Sequence, residues 1–197
     1  MGGRHDVVVL GLPRGGVPVA REVADALDAP LDVLLVRKLG VPGQAELAMG
    51  AIAAGGVRVV NRSVTGALGI PVEVVDGVAA VEEAELERRE QAYRPGRPPL
   101  EVSGKVVVVV DDGLATGSTM RAAVAAVRAM GPRRVVVAVP VGARETCEDL
   151  AAEADEVVCA RMPSSFRAVG QWYDDFSETT DDDIRALLAK GDDDHGT

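Results

Sequence analysis

The residues best suited to chemistry lie in the stretch VVVVVDDGLATGSTM, residues 106–120. Its five consecutive valines predict a strand that is covered on both faces, as strands of a parallel sheet are. Asp111 and Asp112 follow at the carboxyl end of that strand, where parallel sheets bind their ligands. Because ionised carboxylates only accept hydrogen bonds, we expect this acid pair to hold the hydroxyl groups of a sugar.

The turn after the acid pair leads into a predicted helix. The first amides of a helix lack partners and carry partial positive charge, so a helix start is suited to phosphate. Thr116, Ser118 and Thr119 add hydroxyl donors. Gly117 lets the backbone approach a ligand closely. A phosphorylated pentose such as ribose 5-phosphate would satisfy both halves of the stretch. The alternative is structural: a capped helix after a buried strand, with solvated aspartates.

The turn GLPRGG, residues 11–16, follows the first predicted strand and offers a second anion site. Arg14 supplies a fork of donors, and Gly15 and Gly16 expose amides at a helix start. The alternative is an ordinary turn with a solvated arginine.

A further pair of cations, Arg37 and Lys38, stands at the end of the second predicted strand in VRKLGVP, residues 36–42. This position favours contact with a strongly anionic ligand, and the alternative is a surface pair. Together with Arg14, these cations would offset the charge of such a ligand in an otherwise acidic protein.

Residues 106–120 resemble the phosphoribosyl-diphosphate (PRPP) motif of type I phosphoribosyltransferases in their apolar run, acidic pair, T-G and following helix. The turn 11–16 lies where this family keeps its pyrophosphate loop, and residues 37–42 resemble the RK-x-G-x-x-P stretch of adenine-type members. The resemblance covers about residues 6–162. It implies an α/β, Rossmann-like three-layer fold with a mostly parallel central sheet and a small C-terminal hood.

By this resemblance, Asp111 and Asp112 would hold the ribose 2- and 3-hydroxyls, and residues 114–119 would cradle the 5-phosphate. Mg2+ would bridge the pyrophosphate and the ribose, with the two aspartates touching it directly or through water. The residues implied to be catalytic are Asp111, Asp112, Arg37 and Lys38. Those implied to bind PRPP are Arg14, Gly15, Gly16, Arg37, Lys38, Asp111, Asp112, Gly113, Leu114, Ala115, Thr116, Gly117, Ser118 and Thr119. Family members are commonly dimers, so a homodimer is expected.

The sequence departs from the family at the acceptor side. Hypoxanthine-type members carry a third aspartate before T-G, where this chain has Ala115, and adenine-type lids carry a serine and tyrosine pair that GQAELAMG lacks. Residues 37–50 lie where the family has a mobile lid, from which Gln44 and Glu46 could reach the site. The alternative for this segment is a crossover containing a helical turn.

The acceptor is expected to be a nucleobase that stacks on Phe166 or Trp172, in the aromatic segment after the last predicted strand. Alternatively, these aromatics dock a tail on the core. Two other functions remain open. One is a non-catalytic PRPP- or nucleotide-binding regulatory protein on the same fold, which the missing acid at Ala115 supports. The other is a sugar-phosphate hydrolase, for which the sequence lacks a nucleophile elbow or a metal cluster.

Predicted strands and helices alternate along the chain and must position these residues. Such alternation predicts a mostly parallel sheet with right-handed crossovers. Strands are expected at 6–12, 31–38, 105–112, 133–141 and 156–163, and a hairpin at 50–61. Helical stripes occur at 20–27, 120–127 and 147–154, with a long charged helix at 71–94 and a last helix at 180–191.

Composition narrows the remaining possibilities. The 197 residues carry a net charge of -10, which argues against nucleic acid as the main partner, and 47% of them are apolar. We expect no membrane-spanning helix, two reduced cysteines and a cytoplasmic protein. A single domain, 1–197, is expected, with a core at about 6–162, an aromatic segment and helix at 163–191, and a disordered tail at 192–197.

Overall fold

The structure is a computed structural model that describes residues 6–98 and 100–193. Its elements in chain order are β1 (Val7–Gly11), α1 (Gly16–Leu27), β2 (Leu31–Val33), β3 (Val36–Val41), β4 (Gln44–Ala53), β5 (Val57–Val60), α2 (Arg62–Ala67), α3 (Val72–Tyr93), β6 (Val106–Val110), α4 (Ser118–Ala129), β7 (Arg134–Val141), α5 (Arg144–Leu150), β8 (Glu156–Arg161) and α6 (Asp181–Asp193), with a short 3-10 helix at Val169–Trp172.

The central sheet has five parallel strands in the order β2-β1-β6-β7-β8, which confirms the predicted mostly parallel sheet. Strands β1 and β6 are neighbours whose residues pair from Val7 with Val106 to Gly11 with Val110. Because the two strands end side by side, the turns that follow them begin at the same point on the edge of the sheet. This register brings the two main motifs of the sequence together.

Helices cover both faces of the sheet, as the continuous valine runs predict. Alternate residues of β1 point to opposite sides: Val9 packs in a cluster with residues of α1, α3 and α6, and Leu10 in a cluster with residues of α4 and α5. Both side chains are fully buried. The three-layer α/β architecture is therefore confirmed.

The prediction of a single strand at 31–38 is wrong, because this segment is divided between two sheets. β2 ends at Val33 in the central sheet, and β3 begins at Val36 in a separate antiparallel sheet with the order β3-β4-β5. The linking residues Leu34 and Leu35 are both buried, but they pack into the opposite core clusters. A continuous apolar run does not reveal such a division.

The segment 37–50 is mainly a hairpin of β3 and β4, in which Lys38 pairs with Ala51. The alternative helical turn is therefore wrong, and the mobile lid expected at 37–50 remains a prediction. Two residues on opposite strands, Leu39 and Met49, are fully buried, and burial of such side chains favours extended pairing over a free loop. The hairpin expected around Gly55 and Gly56 is confirmed by the antiparallel pairing of β4 with β5.

Helices α1, α3, α4 and α6 follow the prediction closely, whereas α5 ends at Leu150, four residues before the end of the predicted stripe 147–154. The charged helix α3 carries ion pairs at i,i+4 spacing, Glu85 with Arg89 at 2.7 Å and Glu90 with Arg94 at 3.0 Å. Thr180 caps α6, since its hydroxyl accepts from the Asp183 amide at 3.2 Å. The short helix α2, capped by the side chain of Asn61, was not predicted.

The remaining predictions concern the cysteines, the chain end and membranes. Both cysteines are free thiols. α6 runs to Asp193, so residues 192 and 193 continue the helix instead of starting the tail, and 194–197 lie outside the described residues. Within the described ranges, no helix combines the length and apolarity needed to cross a membrane.

Candidate functional site

The acid pair and the glycine turn after β1 are in direct contact. A Cβ atom added to Gly16 would lie 2.7 Å from the carbonyl oxygen of Val110 and 2.8 Å from the Cα of Asp111. A Cβ on Gly15 would overlap the carboxylate of Asp112. Only glycine allows the turn to approach this closely, so two motifs about a hundred residues apart form one surface.

The two carboxylates of the pair share an unfavourable electrostatic environment. Burial and the adjacent charge of Asp112 raise the pKa of Asp111 to about 7. Burial also raises the pKa of Asp112 above its usual value. One internal hydrogen bond partly stabilises the ionised form of Asp111, because the Asp112 amide donates to Asp111 Oδ1 at 2.9 Å. A cation or several hydroxyl donors would stabilise the ionised pair further.

The loop between the acid pair and α4 is anchored to the turn after β7. The amide of Leu114 donates to the Val141 carbonyl at 3.0 Å, and its carbonyl accepts from the Ala143 amide at 2.8 Å. The hydroxyl of Thr146 donates to the Ala115 carbonyl at 2.7 Å. Leu114 itself is buried in the core. These contacts hold the loop in place before any ligand binds, and the anchoring role of Thr146 was not predicted.

The start of α4 offers free donors. Gly117 adopts a left-handed conformation with φ 70°, and no side chain caps the helix. The hydroxyl of Thr116 donates to Ser118 Oγ at 3.4 Å. Lys38 Nζ lies 3.3 Å from the same Ser118 oxygen. The hydroxyls, the first amides and one cation therefore converge at the point expected for phosphate.

The other two predicted cations are held by carboxylates. Arg37 Nε donates to Glu82 of α3 at 2.5 Å. Arg14 pairs with Glu178 and, at 3.4 Å, with Asp181, both near the C-terminal end. The peptide bond between Pro13 and Arg14 is cis. Neither guanidinium is hydrogen-bonded to the acid pair.

A cleft of about 630 Å3 opens beside the acid pair. Its lining includes Arg14, Gly15, Arg89, Asp112, Tyr173 and Phe176. The hydroxyl of Tyr173 donates to the backbone carbonyl of Asp112 at 2.6 Å, and its ring centroid lies 5.3 Å from that of Phe176. Burial, followed by the charges of the acid pair, raises the pKa of Tyr173 to about 12, so the phenol stays a donor.

The aromatic residues of the cleft differ from those expected. In the described part of the chain, Tyr173 and Phe176 line it, and Phe166 and Trp172 do not. Trp172 is 38% exposed. The sequence located the aromatic segment but did not reveal which of its side chains turn inward. Arg89, which the sequence did not single out, also lines the cleft.

Gln44, one of the two expected lid residues, does not line the cleft beside the acid pair. Gln44 is exposed at the start of β4, and the side chain of Glu46 lies outside the described residues. A second cavity of about 520 Å3 is lined by residues of this antiparallel sheet and of α4, among them Lys38, Asn61, Ser118 and Arg121.

A protein-built metal cage is not found in the described residues, where no three histidine, cysteine or acidic side chains cluster. The acid pair alone offers carboxylate oxygens, the ligands that Mg2+ prefers. A metal at this site would therefore take most of its oxygens from a bound ligand.

The chain is similar to several known proteins. Residues 2–176 match the family model of the phosphoribosyl transferase domain. A Mycobacterium tuberculosis protein, provisionally named a phosphoribosyl transferase, is 52% identical over 182 residues, which are 92% of this chain and 41% of that protein. The chain thus spans about two fifths of the length of that curated relative.

Two further similarities come from other organisms. The bifunctional protein PyrR of Chloroflexus aurantiacus is 33% identical over 139 residues, which cover 70% of this chain and 57% of that protein. The crystal structure of TT1426 from Thermus thermophilus superposes with a TM-score of 0.88 at 47% identity, covering 95% of this chain and 89% of that one.

Proposed function

Because the chain belongs to the phosphoribosyl transferase family, we propose that it transfers the phosphoribosyl group of PRPP to a nucleobase and releases pyrophosphate. The observation that carries this proposal is the contact between the Gly15–Gly16 turn and the acid pair. Through that contact, donors for a diphosphate would lie next to acceptors for a sugar diol, as PRPP requires.

The ligand would be held at three points around one ribose. Asp111 and Asp112 would accept hydrogen bonds from the 2- and 3-hydroxyls. Residues 116–119 and Lys38 would donate to the 5-phosphate, since the helix start and the ammonium group lie together. The amides of Arg14 and Gly15 would donate to the diphosphate. Pro13 has no amide hydrogen, and the Gly16 amide, contrary to expectation, already donates to the Leu12 carbonyl at 3.0 Å. Such positioning removes much of the entropic cost of reaction.

The transition state places positive charge on the ribose ring and negative charge on the leaving pyrophosphate. The acid pair would stabilise the ring, and Arg14 and Arg37 would stabilise the leaving group. In this structure Arg14 pairs with Glu178 and Arg37 pairs with Glu82. Pyrophosphate would either displace these carboxylates or bind to the arginines together with them.

The acid pair fits a role in binding Mg2+. Its raised pKa values indicate that the two charges lack compensation, and a divalent cation would supply it. When bound, Mg2+ would neutralise charge on the diphosphate. Asp111 and Asp112 would hold the ion directly or through water.

We place the acceptor base against Tyr173 and Phe176, because these two rings line the cleft beside Asp112. Offset stacking on such a ring suits a planar base. The hydrogen bond from Tyr173 to the Asp112 carbonyl would fix the distance between the base and the ribose.

A non-catalytic PRPP- or nucleotide-binding regulator is the second candidate. Ala115 favours it, because the methyl side chain of this exposed loop residue has no acidic or basic group and its carbonyl already accepts from Thr146. The loop therefore supplies no acid or base to an acceptor.

Calorimetry with PRPP and Mg2+ tests the common part of both candidates. We expect binding by the wild-type protein, a loss of at least ~100-fold in the double variant Asp111→Asn/Asp112→Asn, and no loss in Asp174→Asn, which removes an exposed charge. Unchanged affinity of the double variant would refute the site.

Pyrophosphate release with a panel of bases then separates the two candidates. Release with one base supports the transferase, and PRPP binding without release supports the regulator. The homodimer, the cytoplasmic location and the single-domain organisation remain predictions.

A further inference from the structure

We propose that Arg89 of α3 is an additional pyrophosphate-binding residue of this site. The proposal rests on the function above and extends it to a helix that contains none of the recognised motifs. Arg89 is otherwise only the second arginine of an ion pair with Glu85.

The position of Arg89 links the two parts of the site. Its side chain lines the 630 Å3 cleft together with Asp112 and Gly15. It also lines a second, small cavity together with Arg37 and Thr119. Pro13, at the start of the pyrophosphate turn, borders both spaces. Arg89 therefore borders the same spaces as the turn, Asp112 and Thr119 at the end of the phosphate cradle.

The guanidinium of Arg89 is held in place but keeps free donors. Its Nε donates to Glu85 Oε1 at 2.7 Å, and the side chain is 33% exposed. In the described part of the chain, its two terminal amino groups make no hydrogen bond. A planar fork anchored at one end and open at the other matches two oxygens of a phosphate group.

The charge balance around Glu85 also favours an anion at Arg89, whereas the cleft as a whole is lined by three acidic residues and two arginines. Arg14 and Arg37 each have at least one carboxylate partner of their own, Glu178 and Glu82. Glu85 instead serves two arginines, Arg88 and Arg89.

Hydrogen bonds from these two arginines lower the pKa of Glu85 to about 2, so it stays ionised at neutral pH. One negative charge against two positive charges leaves this group with a net positive charge beside the cleft.

Arg88 provides a matched control on the same helix. It donates to both oxygens of Glu85, at 2.8 and 2.9 Å, but it is 65% exposed and lines neither cavity. Arg88→Met and Arg89→Met each remove one cation and its bonding to Glu85. Only the second variant removes a donor from the cleft.

The test measures binding of three probes by calorimetry with Mg2+ present: inorganic pyrophosphate, PRPP and ribose 5-phosphate. We expect Arg89→Met to lower the affinity for pyrophosphate and for PRPP by about 10- to 100-fold, the usual effect of losing a hydrogen bond to a charged group. Ribose 5-phosphate should bind as in the wild type. Arg88→Met should bind all three probes normally, and Arg89→Lys should show an intermediate loss.

Equal pyrophosphate affinity in the Arg88→Met and Arg89→Met proteins would overturn the proposal, as would an equal loss of ribose 5-phosphate binding in Arg89→Met. If the wild type binds PRPP while Arg88→Met and Arg89→Met bind pyrophosphate equally well, the proposed role of Arg89 is refuted and the proposed function is not. If the wild type binds pyrophosphate but not PRPP, the proposed function fails, and the comparison of the variants still decides the role of Arg89.

Discussion

Replacing Asp111 by asparagine should make the ligand-free protein more stable, although it removes a residue proposed to be essential. Burial and the charge of Asp112 raise the pKa of Asp111 from 3.8 to about 7. The folded protein therefore binds this proton more tightly than the unfolded chain does. Stability falls as pH rises from about 4 to about 7, and it stays at the lower level above that.

The size of the effect follows from that shift. A rise of about three pKa units corresponds to about 4 kcal/mol of lost stability at pH 8. Asparagine carries no charge, and its amide oxygen still accepts from the Asp112 amide, as Asp111 Oδ1 does at 2.9 Å. Burying the new amide group costs about 1 kcal/mol. The net gain at pH 8 is about 3 kcal/mol, which raises Tm by roughly 6–12 °C for a chain of this size.

Thermal and urea unfolding of both proteins at pH 5, 6, 7 and 8 measures this gain, with Asp174→Asn as the exposed control. The advantage of Asp111→Asn should grow by about 1.4 kcal/mol for each pH unit up to pH 7 and then level off. A gain that does not change with pH, or a variant less stable than the wild type at pH 8, would refute the electrostatic account of the pair.

Three other substitutions test the packing around the site and the core. Gly16→Ala would force a Cβ to within 2.7 Å of the Val110 carbonyl oxygen. Urea unfolding should therefore show a loss of roughly 1–3 kcal/mol in stability, and calorimetry should show a loss of PRPP binding. A variant as stable as the wild type would contradict the close contact. Gly77→Ala on α3, with open space around it, should instead gain about 1 kcal/mol. Arg94→Ala should cost about 3–5 kcal/mol because it leaves Asp32, now bonded at 2.7 and 2.8 Å, without its buried partner; a loss below about 1 kcal/mol in urea unfolding would count against this pair.

The local features of the site were predictable from the sequence. A valine run that ends in two aspartates places them at the carboxyl end of a buried strand, and the structure has β6 end at Val110. The helix after Gly117 is likewise a local property, because the apolar stripe of α4 repeats every three or four residues. Such patterns depend on neighbours in the chain, which a sequence shows directly.

Contacts between distant segments could not be predicted in this way. Leu34 and Leu35 belong to a single apolar run, yet they face opposite cores, because the chain leaves one sheet and enters another. The inward turn of Tyr173 depends on a hydrogen bond to Asp112, 61 residues earlier in the chain. No periodicity distinguishes this ring from the neighbouring Trp172.

The sequence by itself therefore determined the order of the central-sheet strands and the long helices along the chain, the acid pair and the glycine turns, because these follow from residue type and short-range spacing. The tertiary structure decided which carboxylate each cation meets, as the bond between Arg14 and Glu178, 164 residues apart, illustrates. It also decided that Arg89 faces the cleft while Arg88 faces solvent. The physical reason is that side-chain charge acts through space, and only the packed fold sets those distances.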